Sequence, residues 1–275
     1  MPEWPDLRVL RGRLEAALVG QAIVRVRTGD PTVIRAKRPP GEVLAGRTFR
    51  AVRHRGKLLL LDLDGGVRIV VNPMLAGVFE LLASSARLPA RTALSLDLDD
   101  GTALRYRDDK RMGKVYVLQG ERIEDAVPGF ADLGPDAGTL DWTGAEFARR
   151  ARRRGGEVRN LLMDQRFVAG IGNAYADEIL WAARLHPKTA VRSLDDARLA
   201  ALRDVLASVL DRAVEEVEGD LPPELGTKVR AHLRVRGRAG EPCPRCGGVI
   251  RRRRKGDDET DYCSRCQPPP PGQLV

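Results

Sequence analysis

The sequence predicts an α+β chain. One N-terminal helix precedes an antiparallel β-sandwich, and a helical C-terminal domain follows, ending in a four-cysteine finger. Three observations carry this. Leu7, Leu10, Leu14 and Leu18 recur at helical spacing, and from residue 21 to about 118 they give way to short apolar runs separated by Gly- and Asp-rich turns. From residue 141 a helical period returns. All four cysteines fall within one stretch, CPRCGGVIRRRRKGDDETDYCSRC.

Taken in order, the first helix is expected from near Asp6, with Gly20 as its stop. The runs AIVRVR, TFRAVR, LLLLDL, VRIVV, LSLDL and KVYVL read as strands, with turns such as DLDGG and LDDGT between them. Such spacing suits a sandwich or barrel. This places a first domain over residues 1–120. Residues 121–140 include VPGFADLGPDAG and read as a linker. Asp141 or Thr143 can cap a helix that runs to Arg154, where Gly155 and Gly156 break it. A short helix is expected over 157–164, then the tight turn AGIGN, the helix AYADEILWAARL, and a long helix from about Leu194 to Glu218. The helical domain thus spans 141–227 and the finger 228–268, with a disordered proline-rich tail over 269–275.

Charge is concentrated. The chain carries +9 overall with a sequence pI near 9.8, yet the window from Lys228 to Lys255 holds eleven Lys or Arg against the single acid Glu241. A second cluster is Arg149, Arg150, Arg152, Arg153 and Arg154. Concentrated cations suggest a polyanionic partner, because each neutralised phosphate releases counterions; a solvated basic face is the plainer alternative. No run of eighteen apolar residues occurs, and Glu3 and Asp6 precede any basic-then-apolar order. The expectation is therefore a cytoplasmic protein without a membrane span, acting as a monomer.

The cysteine spacing is C-x2-C-x16-C-x2-C. Cys243, Cys246, Cys263 and Cys266 can present four thiolates tetrahedrally to one structural Zn2+. A disulfide framework belongs with an exporting sequence, and none is apparent. Arg251 to Lys255, including Arg252 and Arg253, then fall on a hairpin between the knuckles, a shape suited to nucleic acid. GIGN at 170–173 lacks the third Gly and the preceding strand of a dinucleotide fingerprint. It reads either as an ordinary helix–helix turn or as a helix N-terminus whose free N–H groups, with Asn173, hold a phosphate. His54, His186 and His232 lack metal-ligand spacing, and Trp142 and Trp181 read as core aromatics.

Four separated motifs, in order, resemble the formamidopyrimidine-DNA glycosylase and endonuclease VIII family of DNA repair enzymes. MPEWPD resembles its N-terminus, and RGKLLLLDL its strand with a phosphate-binding lysine. LLMDQRFVAGIGNAYADEILWAARLHP is similar to its helix-two-turns-helix. VRGRAGEPCPRCGGVI through YCSRCQ is similar to its zinc finger. The resemblance covers residues 2–267. It implies double-stranded DNA, carrying a damaged base or abasic site, held between two domains. It also implies excision of an oxidised base by a bifunctional glycosylase/AP lyase, with strand scission by β-elimination and δ-elimination left open. The chemistry fits the residues. A free N-terminal Pro2, after loss of Met1, is a secondary amine that can attack C1′ and form an iminium. Glu3 can handle protons, and Lys57 can anchor a phosphate. Leu75, Lys110 and Met112 stand where the family fills the gap left by a flipped base. The plainer readings are helix punctuation for Pro2, a helix-dipole carboxylate for Glu3 and a solvated strand edge for Lys57.

Two departures from the family pattern stand out. Where the family's finger carries Gly-Arg-x-Thr, with the arginine on phosphate, this chain has Asp257, Asp258, Glu259 and Thr260. An acid there is expected to repel phosphate. The segment from Leu221 to Lys228 is short for a lesion-capping loop. A damaged-DNA-binding paralogue with weak activity, or with activity on unusual lesions or single strands, is the alternative that Asp258 motivates. A zinc-ribbon RNA-binding protein leaves MPEWPD without a role.

Overall fold

The structure, a computed structural model, describes residues 1–220, 225, 229–256 and 258–270. Asp257, most of the Leu221–Lys228 segment and the last five residues of the tail lie outside these. The chain forms two compact units. The first comprises Met1–Pro2, Asp6–Ala131 and Val217–Val229, and the second Glu3–Pro5, Asp132–Glu216 and Arg230–Val275.

In the first unit helix α1 (Trp4–Leu18) lays Leu7, Leu10, Leu14 and Leu18 into the core, as their spacing requires. The strands are β1 (Ile23–Thr28), β2 (Ile34–Ala36), β3 (Phe49–Arg55), β4 (Leu58–Leu63), β5 (Val67–Asn72), β6 (Gly77–Ala83), β7 (Thr92–Leu98), β8 (Thr102–Asp108) and β9 (Lys114–Gln119). Short helices α2 (Pro40–Leu44) and α3 (Ile123–Ala126) complete the unit. The strands form a four-stranded sheet, β1-β7-β8-β6, and a five-stranded sheet, β2-β9-β5-β4-β3. Phe49, Leu59, Leu61, Ile69, Phe79, Leu96, Leu104 and Val117 share one buried cluster with the leucines of α1.

Three expectations need correction. The sandwich is not wholly antiparallel, because β2 pairs with β9 in parallel. Strands β6 and β8 were not legible, since Ala, Glu and Arg dilute their β-pattern. In β8, Arg105 is fully buried, and its two terminal nitrogens donate to the carbonyls of Arg87 at 2.9 Å and Ala86 at 2.7 Å. Lys57 is not on a strand. Arg55 pairs with Leu58, so Gly56 and Lys57 form a two-residue hairpin turn, and Gly56 takes the positive φ that such a turn places at its first position, here 55°.

The register Gly77↔Asp108 sets the turn before β6 beside the turn after β8. Buried Asp108 fastens the second turn, accepting the Lys110 N–H at 3.1 Å and the Gly113 N–H at 2.5 Å. A Cβ on Gly113 would lie 2.1 Å from the Tyr106 hydroxyl, and one on Gly77 2.2 Å from it. Burial, and then the Asp108 charge, push the Tyr106 phenol well above its ordinary range. Gly113→Ala is therefore expected to cost about 1–3 kcal/mol through overpacking, read as a lower denaturation midpoint at unchanged m-value.

The second unit contains α4 (Gly144–Arg154), α5 (Val158–Met163), α6 (Asn173–Ala182), α7 (Asp196–Asp220, whose last turn belongs to the first unit) and the finger hairpin β10 (Ile250–Lys255) and β11 (Asp258–Cys263). Thr143 and Glu146 make a reciprocal capping box at the start of α4. Phe147, Val158, Leu162, Phe167, Ile171, Tyr175, Ile179 and Leu206 share its core with Trp4. Gly170, at φ 106°, and Gly138 make the socket for that indole: a Cβ on either would fall within 2.8 Å of Trp4.

Candidate active site and nucleic-acid interface

The AGIGN turn ends at the N-terminus of α6, where helix geometry leaves N–H groups unpaired and gathers positive potential. The buried Glu3 carboxylate fills that position. Its Oε2 accepts from the N–H groups of Gly172 at 2.7 Å and Tyr175 at 3.1 Å, and its Oε1 from Ala174 at 2.9 Å. The Trp4 N–H donates to the Gly170 carbonyl at 3.0 Å, which fixes the adjoining backbone. The reading of these N–H groups as a phosphate cradle is thereby corrected, since three of them hold a carboxylate of the same chain. The side chain of Asn173 remains half-buried beside them.

In the first unit Pro2 is buried, and Lys57 is half-buried on its hairpin turn. Leu75 and Met112 are among the few large apolar side chains left exposed, at 47% and 38%, and Lys110 is exposed as well. The paired ends of β6 and β8 carry all three, on the turns that Asp108 and Tyr106 brace. Met74, just before Leu75, has φ 48°, and its N–H donates to the Asn72 side chain at 3.2 Å.

In the finger, one ligand atom from each of Cys243, Cys246, Cys263 and Cys266 lies within 4.8 Å of the others. The Cys243–Cys266 and Cys246–Cys263 sulfurs are 3.9 and 3.6 Å apart, close to the ~3.8 Å edge of a tetrahedron with ~2.3 Å Zn–S bonds. Trp181 donates its indole N–H to Cys243 Sγ at 3.4 Å, and Arg245 stacks 4.0 Å above the indole. Trp181 thus packs on the finger, and the edge of His186 meets Tyr262.

The finger cations divide by strand alternation. Arg252 is committed to Asp261 by two bonds of 2.7 and 2.8 Å, and Arg254 to Glu259 at 2.8 Å. The Nε and one terminal nitrogen of Arg252, expected on DNA, thus donate within the hairpin. Arg253 turns the other way. With Arg159, Asn160, Lys255, Asp258 and Thr260 it lines a polar cavity of about 110 Å³. At its floor the buried Arg159 donates to Asp177 at 3.1 Å, to Asp258 at 2.7 and 3.1 Å, and to the Asn173 side-chain oxygen at 3.2 Å. Burial pushes the Asp177 carboxyl up to about 7, against the pull of Arg159, the Asp261 N–H and Arg236. Next to it Glu178 accepts three successive N–H groups, those of Arg234, Val235 and Arg236, each at 2.9 Å.

Comparison with known proteins places these features. Residues 1–115 match the formamidopyrimidine-DNA glycosylase N-terminal domain, 133–221 its H2TH domain, and 240–269 the zinc finger found in FPG and IleRS. The formamidopyrimidine-DNA glycosylase of Moorella thermoacetica is 35% identical over 259 residues, covering 92% of this chain and 94% of its own. That of Symbiobacterium thermophilum is 36% identical, covering 99% and 91%. The chain belongs to the formamidopyrimidine-DNA glycosylase family. A Lactococcus lactis FPG mutant bound to Fapy-dG containing DNA superposes with a TM-score of 0.87 at 25% identity, covering 98% of this chain and 100% of that one. The Lactococcus lactis Fpg bound to abasic-site DNA superposes at 0.85 and 25%, covering 97% and 100%.

Membership makes the chain a DNA glycosylase of base excision repair, with the AP-lyase activity typical of formamidopyrimidine-DNA glycosylases. Its four clustered cysteines are the ligands of a structural zinc. Among the described residues no helix is long and apolar enough to cross a membrane. Sequence reasoning missed Arg159, Asp177, Glu178 and Asp108. Asp177 and Glu178 did leave a signal, two adjacent acids in the otherwise apolar helix AYADEILWA. Arg159, one cation in EVRNLLMD, left none.

Proposed function

We propose that Pro2, freed of Met1, is the nucleophile and Glu3 the proton-transfer group of this glycosylase, acting on duplex DNA with a damaged base or abasic site. The supporting observation is the Glu3 carboxylate, which is pinned by three N–H groups immediately after Pro2 in the chain. A carboxylate offers about four acceptor positions. Three of them accept N–H groups here, which fixes the orientation of the carboxylate that handles the proton.

The Pro2 nitrogen attacks C1′, and the base leaves with the electron pair of its bond. A proton from Glu3 opens the sugar ring, leaving an iminium whose positive nitrogen acidifies the 2′-hydrogens. Loss of one expels the 3′-phosphate. Lys57 binds a phosphate from its rigid turn. Leu75 and Met112, the exposed apolar tips, and Lys110 enter the gap left by the flipped base. Asn173, Arg252 and Arg253 hold the backbone, Arg252 while its Nε and one terminal nitrogen stay on Asp261. The protein acts as a monomer at the cytoplasmic nucleoid.

Borohydride trapping on an abasic duplex tests this reading. A covalent adduct is expected with the processed chain and not with Pro2→Gly at matched times. Tight binding without any adduct would instead support a damaged-DNA-binding paralogue.

A further inference from the structure

We infer that Arg159 is a positioning residue for DNA binding: held by Asp258 of the finger, it fixes the side-chain amide of Asn173 with its NH2 group turned outward as a donor. The inference rests on the reading of Asn173 as a phosphate ligand and explains how this chain tolerates an acid in its finger. A guanidinium only donates hydrogen bonds, so the Asn173 atom 3.2 Å from Arg159 Nη2 has to be the oxygen. The NH2 group then has no partner among the described residues. Two N–H donors are what a phosphate accepts, whereas the opposite rotamer would offer it a repelling oxygen.

Arg159 can hold this orientation because it is itself held. Its Nε donates to Asp177 and its two terminal nitrogens to the two oxygens of Asp258, while Nη2 also reaches the Glu259 carbonyl at 3.1 Å. This fork-on-fork pairing fixes the guanidinium plane. A lysine, with one nitrogen, cannot meet Asp177, Asp258 and Asn173 together. Asp258 therefore acts through Arg159. Its charge is compensated by a buried cation, and the repulsion expected between finger and phosphate is removed at its source.

A double-mutant cycle tests this, using the zinc-loaded full chain and a duplex with an uncleavable tetrahydrofuran abasic analogue. Asn173→Ala is expected to weaken binding about tenfold, the loss of a hydrogen bond to a charged group. Arg159→Gln is expected to do the same and, combined with Asn173→Ala, to add less than about twofold. The slope of log K against log salt should stay at the parent value in Arg159→Gln, whereas loss of a direct phosphate contact would flatten it by about 0.9. Arg159→Lys should recover only part of the affinity. Asp258→Asn, a milder change at a half-exposed side chain, should weaken binding in parent chain and have little effect in Arg159→Gln. Additive losses, or the flatter slope, overturn the inference. No effect of Asn173→Ala would instead sink the underlying assignment of Asn173. Thermal midpoint and zinc content, measured for every variant, separate these outcomes from a finger that has failed to fold.

Discussion

Retention of Met1 is expected to abolish borohydride trapping altogether, and Pro2→Gly to lower it by about a hundredfold or more. With Met1 attached, the Pro2 nitrogen is an amide nitrogen whose lone pair is delocalised into the carbonyl, and it has no nucleophilicity. Glycine restores an amine, but a primary one on a flexible backbone. Glu3→Gln separates the second role. The amide keeps one oxygen for Gly172 and Tyr175 but turns its NH2 group toward the Ala174 N–H, so one buried donor loses its acceptor at a cost of about 1–3 kcal/mol. It also has no carboxyl proton to give. Trapping and thermal midpoint should therefore both fall in Glu3→Gln, whereas Pro2→Gly should leave the midpoint close to the parent. An undiminished adduct in both variants sinks the assignment.

Withdrawal of zinc is expected to have the second-largest effect. The finger's own core is Val235, Cys243, Ile250 and Cys263, with Trp181 against it, too little apolar surface to hold the hairpin alone. Structural zinc contributes on the order of 10 kcal/mol to such modules. A strong chelator should weaken DNA binding by about a hundredfold or more, since Arg253, Lys255 and the Asp258 partner of Arg159 all depend on the hairpin register. Readdition of zinc should restore binding. Cys263→Ser should reproduce the loss without recovery, and affinity that survives complete removal of zinc contradicts a structural role.

The parts of this fold legible in the sequence were those set by local chemistry. The leucines of α1, the Thr143 cap, the glycine turn before α6 and the cysteine knuckles each follow from residue type and spacing. Strands β6 and β8 were hidden because their stability comes from neighbours: a buried arginine on carbonyls and glycines pressed on a tyrosine leave little periodic trace. The same limit applied to the site. Pro2, Glu3 and Lys57 could be nominated from motifs, but no spacing announces that Glu3 takes N–H groups some 170 residues away. Asp258 was read alone as repulsive. Its meaning changed with a partner 99 residues distant.

The docking of Glu3 and Trp4 has a consequence for biosynthesis. These residues are made some 170 residues ahead of their hydrogen-bonding partners at 170–175. At ~5–20 residues per second they wait roughly 10–35 seconds for those partners to be made. If Pro2 is the nucleophile, that interval is when Met1 has to be excised, before Pro2 is buried. The Glu3 carboxylate reaches its three N–H partners only when the second unit has folded. With Pro2 and Glu3 as the reacting pair, a chain cut short before residue 172 is expected to give no borohydride adduct.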